Sequence, residues 1–160
     1  MYDSGSTAFM LVCTMLVLFM TPGLAFFYGG LARRRNVVNT MLMCFAVIGV
    51  VGLTWVVAGW SFAYGGDGSL PWFGGFDQLG LVGLVSGMLS EASSVPADAV
   101  YPSLVDVCFQ MAFAMITAAI VTGVGGGPHA LRRGARLHCA WSLVVYAPLA
   151  HMGLGRRGVA

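Results

Sequence analysis

The sequence contains no lysine, and charged residues make up only 9% of its 160 positions. So little charge excludes an ordinary water-soluble domain, because soluble proteins carry about 25% charged residues and use them to cover their surface. The missing lysine also removes a phosphate-binding loop. Gly125-Gly126-Gly127 is followed by Pro128-His129 rather than Lys-Ser or Lys-Thr, and no strand pattern precedes it. The four cysteines, Cys13, Cys44, Cys108 and Cys139, lie far apart with no CxxC spacing, which reads as small buried hydrophobes rather than a metal knuckle or disulfide frame. His129, His138 and His151 are not at metal-ligand spacing, and structural or interfacial roles are expected for them. No basic residue precedes the first apolar run, where Asp3 stands instead, so no cleavable signal is expected. No constellation of nucleophile, base and acid is visible, so neither an enzyme nor a cofactor is expected.

Apolar residues are what the sequence has in abundance: 58% of the chain, with a mean hydropathy of +0.84. Lipid must therefore be the solvent for much of the surface, and the length leaves room for about four spans of about 20 residues each. The apolar runs place them at 8–31, 37–64, 104–124 and 137–154, the third with Asp106 near its start. Pro22-Gly23 should bend the first, and Pro148 interrupts the fourth. Trp55, Trp60 and Tyr64 fall toward the far end of the second, where an interfacial aromatic belt would sit. Residues 65–103 hold Asp67, Asp77, Glu91 and Asp98 without a base, which reads as a loop outside the membrane with a short interfacial helix around Leu79 to Leu89. The arginines form three clusters: Arg33 to Arg35, Arg132 to Arg136, and Arg156 with Arg157. Such clusters between apolar runs are loop anchors and not the basic face of a nucleic-acid binder. With four spans the first two clusters share a side, which the positive-inside rule makes cytoplasmic, leaving the N-terminus and the acidic loop outside. Arg156 and Arg157 fall on the other side, against that rule.

Three blocks carry a resemblance. Met20-Thr-Pro-Gly-Leu-Ala-Phe-Phe-Tyr-Gly-Gly30, followed by basic residues and Asn36-Val-Val-Asn39, resembles the first helix of the ammonium transporter family (Amt/Mep/Rh). Cys108-Phe-Gln-Met-Ala-Phe-Ala-Met-Ile-Thr117 with Val121-Thr-Gly123 resembles its third helix, and Trp141-Ser-Leu-Val-Val-Tyr-Ala-Pro-Leu-Ala-His-Met152 its fourth. The blocks stand in family order and cover most of residues 7–152. Gly23, Gly29 and Gly30 are expected where helices approach closely. The resemblance implies an all-α membrane protein in which residues 1–160 form the N-terminal part of an eleven-helix ammonium transporter fold. It implies passage of ammonium or ammonia across the plasma membrane, by a protein that forms homotrimers in the bilayer. In that family aromatic rings capture ammonium at an external vestibule and paired phenylalanines gate an apolar pore. Phe113 matches the vestibule-side gate, and Phe109 matches another aromatic one turn earlier. A ring face attracts a cation by roughly 0.5–2 kcal/mol, and an apolar constriction opposes hydrated ions.

The resemblance is interrupted twice. Val124 to Cys139 replaces the family's turn and its Glu with Gly, Arg, Pro and His, and the pattern returns without a gap at Trp141. After Met152 the chain reads Gly-Leu-Gly-Arg-Arg, and Leu154 stands where the family's Trp completes the aromatic cradle. Compensating frameshifts in GC-rich DNA account for such stretches simply. An intact alternative frame over residues 124–140 in the encoding DNA is the expected finding, and in-frame codons throughout would refute it. The rival readings are a frameshifted fragment that transports nothing, since a pore is built between helices of both repeat halves, and a membrane ammonium sensor or interaction module.

Overall fold

The computed structural model describes residues 2–66, 72–84, 101–122 and 130–154. Among them are four helical spans long and apolar enough to cross a membrane, Ser4–Leu31, Arg34–Tyr64, Ser103–Thr122 and Arg133–Leu154. No strand occurs in the described residues. The fold is all-α, as the uncharged runs require.

Helix α1 (Ser4–Leu31) starts where Asp3 caps it, the Ser6 amide donating to Asp3 Oδ2 at 2.7 Å. The hydrogen bonds from Ser6 hold the Asp3 carboxyl below its ordinary value. Helical winding continues through Pro22. The helix buries one stripe at every fourth residue, Val17, Thr21, Ala25 and Gly29, and turns most of its bulk outward, Phe19 being 78% exposed. Small side chains on that stripe let neighbouring backbones approach. Of the three glycines expected at close approaches, only Gly29 sits at one, where a Cβ would lie 3.1 Å from Met41. Gly23 and Gly30 meet nothing within 4 Å of such a Cβ among the described residues.

After a 3₁₀ turn at Arg34–Asn36 the chain reverses into α2 (Val37–Thr54). Five residues, Trp55–Gly59, then wind as a π-helix before α3 (Trp60–Tyr64). The wide turn redirects the aromatic residues. Trp55 and Trp60 do not face a membrane interface as a belt; they are 1% and 5% exposed and sit in the core. Trp55 meets Trp60 and Tyr146 edge-on, and Trp60 stacks on Tyr64 at 4.3 Å. A π turn shifts the helical phase, so residues that an unbroken α-helix would send to lipid are turned inward.

Helix α4 (Ser103–Thr122) packs against α1 and α2 through Ala112, Ala114, Ala118 and Ala119, all buried. The fourth span begins earlier than its apolar run. Helix α5 (Ala130–Trp141) reaches into the arginine-rich stretch and packs on α2. Its side chains divide by face: Arg133, Arg136 and Leu137 are exposed, whereas His138 is 3% exposed and 3.0 Å from Thr122 Oγ1. A second π segment, Ser142–Tyr146, leads into α6 (Ala147–Leu154), which packs on α3. Pro148 is the second residue after that segment, where the proline ring would crowd the preceding turn of a regular α-helix.

In the loop after α3, a 3₁₀ turn at Leu79–Leu81 is followed by helical residues 82–84. The remainder of the expected interfacial helix, residues 85–89, lies outside the described residues, as do Gly125 to His129. Hydrogen bonds tie the described loop to α3. The Trp60 indole donates to Gln78 Oε1 at 2.8 Å, Ser61 Oγ donates to the Gly75 carbonyl at 2.7 Å, and the Gly74 amide donates to the Phe62 carbonyl at 2.8 Å.

The two ends of the bundle differ in charge. Tyr28 donates to the Ile120 carbonyl, joining the end of α1 to the end of α4, and Thr122 meets His138. Arg33 to Arg35, Arg133 and Arg136 belong to that end. The described acids, Asp3, Asp77 and Asp106, lie at the other.

Candidate functional site

Helix α4 has two faces. Val105, Val107, Ala112, Ala114, Met115, Ala118, Ala119 and Thr122 are buried. Asp106, Phe109, Phe113, Thr117 and Ile120 are not, and their spacing of three, four, four and three places them in one stripe along the helix. The two rings expected to act together are adjacent there. Phe109 and Phe113 meet edge-to-face, with centroids 5.0 Å apart and planes at 78°. This geometry is favourable for aromatic pairs by about 0.5–1.5 kcal/mol beyond buried area, and it sets each ring's orientation. Phe113 stays 37% exposed, so its ring is available to a ligand on the open side.

Below the rings the stripe offers no strong polar group. The Thr117 hydroxyl donates to the Phe113 carbonyl of its own helix at 2.6 Å, which uses its proton internally, and Ile120 is apolar. The stripe thus runs from a carboxylate through two aromatic rings to an apolar end. It can attract a cation at its top and withholds the ligands a hydrated ion would need farther down.

The two described histidines do not join this stripe. His151 bonds through Nδ1 to the Ala63 carbonyl at 2.9 Å and fixes α6 to α3, while His138 pairs with Thr122 at the opposite end. Both are structural hydrogen-bonders, as their spacing suggested, and His129 lies outside the described residues. The described residues contain no group of three or more His, Cys, Asp or Glu arranged to hold a metal ion. All four cysteines are free thiols. Cys44 is buried, and Cys139 receives a 3.5 Å hydrogen bond from Thr54. Leu154, at the cradle position, is 57% exposed at the end of α6.

Sequence reasoning gave no role to Ser61, Gln78 or Asp106. The partners of Ser61 and Gln78 lie 14 to 18 residues away in a loop, and no periodicity signals such pairings. Asp106 did carry a signal, a lone acid at the head of an otherwise uncharged span.

The model of the Ammonium Transporter Family matches residues 8–160. An ammonium transporter of Aquifex aeolicus is 42% identical over 150 residues, covering 93% of this chain and 34% of that protein. One of Bacillus subtilis is 37% identical over 149 residues, with 92% and 34% covered. The crystal structure of Candida albicans Mep2 superposes with a TM-score of 0.80 at 22% identity, over 98% of this chain and 33% of that one. The chain spans about a third of the length of the curated relatives it matches.

Proposed function

Because the chain belongs to the Ammonium Transporter Family, we propose that its four spans supply one wall of a passage for ammonium or ammonia. The observation that supports this is the open stripe of α4, which presents Phe109 and Phe113 as an edge-to-face pair on a helix whose other face is packed. In this reading Phe113 receives the cation at the outer mouth through its ring face, and Phe109 holds that ring in place. Ions shed water before the apolar part of the stripe, and the facing wall comes from helices other than those described.

The same reading puts the protein in the plasma membrane with its N-terminus outside. The segregation of arginines to one end and acids to the other supports that orientation. The outward-facing surface of α1 is where lipid or the other copies of a homotrimer would lie.

Grafting tests the proposal. Residues 4–154 replace the matched third of the Aquifex aeolicus ammonium transporter in cells without ammonium uptake of their own, and labelled methylammonium uptake is measured. Uptake is expected, and Phe113→Ala is expected to weaken apparent affinity about tenfold, the effect of losing one ring–cation contact. Uptake that ignores Phe113→Ala would contradict the role of that ring. A graft that inserts normally and carries nothing would favour the second reading, a chain without transport activity, to which Leu154 in place of an aromatic cradle residue already points.

A further inference from the structure

The aromatic belt expected at the end of the second span is missing from that span, because Trp55 and Trp60 turn into the core. Aromatic rings do gather at that end, in the loop that follows α3. Trp72 is 66% exposed and Phe76 71%, and Phe73 and Leu79 are exposed close to them in the chain. Bulky apolar side chains exposed together mark a surface that something covers.

The loop holds these rings in place. Gln78 is bonded to the Trp60 indole, the Gly75 carbonyl to Ser61 and the Gly74 amide to the Phe62 carbonyl, so the segment is tied to α3 along its length. The Phe62 ring meets Phe73 with centroids 5.5 Å apart and Phe76 at 5.3 Å, both edge-to-face. Phe62 belongs to the span Arg34–Tyr64 and lies two residues from its end. The aromatic surface therefore continues directly from the spanning helix, at the level where that helix leaves the hydrocarbon.

Charge narrows what can lie against it. Residues 65–103 contain no base. Among residues 72–84 the one charged side chain is Asp77, whose carboxylate accepts the Gly66 amide at 2.8 Å. The rings thus meet their surroundings with no cation beside them. The headgroup zone of a bilayer suits such a surface: it takes the rings out of water and still offers acceptors to an indole N–H.

We propose that Trp72, Phe73 and Phe76 form an interfacial anchor in the headgroup region of the adjoining leaflet, and that it takes phospholipid without selecting an anionic headgroup. The anchor fixes the depth at which α3 ends and, through the bond from His151 to the Ala63 carbonyl, the depth at which α6 ends. It is independent of what the spans carry.

The test uses the whole 160-residue chain in phosphatidylcholine vesicles whose acyl chains carry bromine either close to the glycerol or near the chain end. Bromine quenches tryptophan on contact, and the difference between the wild type and Trp72→Phe isolates the emission of Trp72 from that of Trp55, Trp60 and Trp141. Shallow bromine is expected to quench that emission about twofold more than deep bromine, because an interfacial element sits only about 5–10 Å into the boundary of headgroups and acyl chains. Iodide in the water should reach it weakly. Phe76→Trp on the Trp72→Phe background should show the same preference for shallow bromine, and added phosphatidylglycerol should leave the preference unchanged. Circular dichroism of each variant shows that the helices are intact. Trp72 emission that iodide quenches and bromine does not overturns the anchor, because the rings then face water. Emission that neither quenches also overturns it, because a second copy or another protein segment then covers the rings. Shallow quenching that needs phosphatidylglycerol overturns it as well, because the lipid is then chosen by charge.

Discussion

Trp55→Ala is expected to destabilise the bundle by about 3–5 kcal/mol, the range for removing a large aromatic side chain from a packed core. Trp55 is 1% exposed and touches Trp60 on its own span and Tyr146 on the fourth, so its indole couples two spans at their π segments. In a bilayer the loss comes mainly from dispersion contacts and the cavity left behind, because lipid tails are as apolar as the core. Trp55→Phe should cost much less. It keeps a ring in place and removes an indole N–H that has no partner among the described residues. Unfolding in detergent micelles, followed by circular dichroism, measures both. A loss below about 1 kcal/mol for Trp55→Ala would mean that the indole faces lipid.

Gly74→Ala has the second large effect. A Cβ on Gly74 would lie 2.5 Å from the Ser61 carbonyl oxygen, 2.7 Å from that of Phe62 and 2.9 Å from that of Gly65. All three are backbone atoms at the end of α3, and none can swing aside as a side chain does. The expected cost is about 3 kcal/mol or more, at the top of the range for overpacking. The Gly74–Phe62 and Ser61–Gly75 hydrogen bonds would part with it, releasing the loop that carries Gln78 to Trp60. Gly23→Ala and Gly30→Ala, which meet nothing within 4 Å among the described residues, should leave stability nearly unchanged. Thermal unfolding of the three variants, followed by circular dichroism, separates the cases. Equal stability of Gly74→Ala and the wild type would contradict the packing of this loop on α3.

These two positions also mark where the sequence is legible and where it is not. Helices α1 and α4 follow directly from long apolar runs, because nothing but a spanning helix suits about twenty mostly apolar residues in lipid. The spacing of Phe109 and Phe113 likewise fixes their contact, since residues four apart on a helix must be neighbours. The placement of Trp55 is not legible in this way. Whether it meets lipid or core depends on a π turn, and a period of 3.6 cannot anticipate an inserted residue per turn. The start of α5 was hidden for another reason. Arg133 and Arg136 break the apolar run, yet they project from an exposed face while His138 on the opposite side finds Thr122. Long arginines can close a span in this manner because their charge reaches the interface.

In the proposed passage the open face of α4 is a water-accessible wall rather than a surface against lipid tails. Thiol scanning measures this directly. With Cys13, Cys44, Cys108 and Cys139 replaced by serine or alanine, single cysteines at 106, 109, 113 and 117 are compared with cysteines at 112, 115 and 119. A membrane-impermeant thiol reagent is applied to the protein in membranes. Labelling at 106, 109 and 113 that methylammonium slows, with 112, 115 and 119 inert, is the predicted result. A cysteine at 113 as unreactive as one at 112 would contradict it.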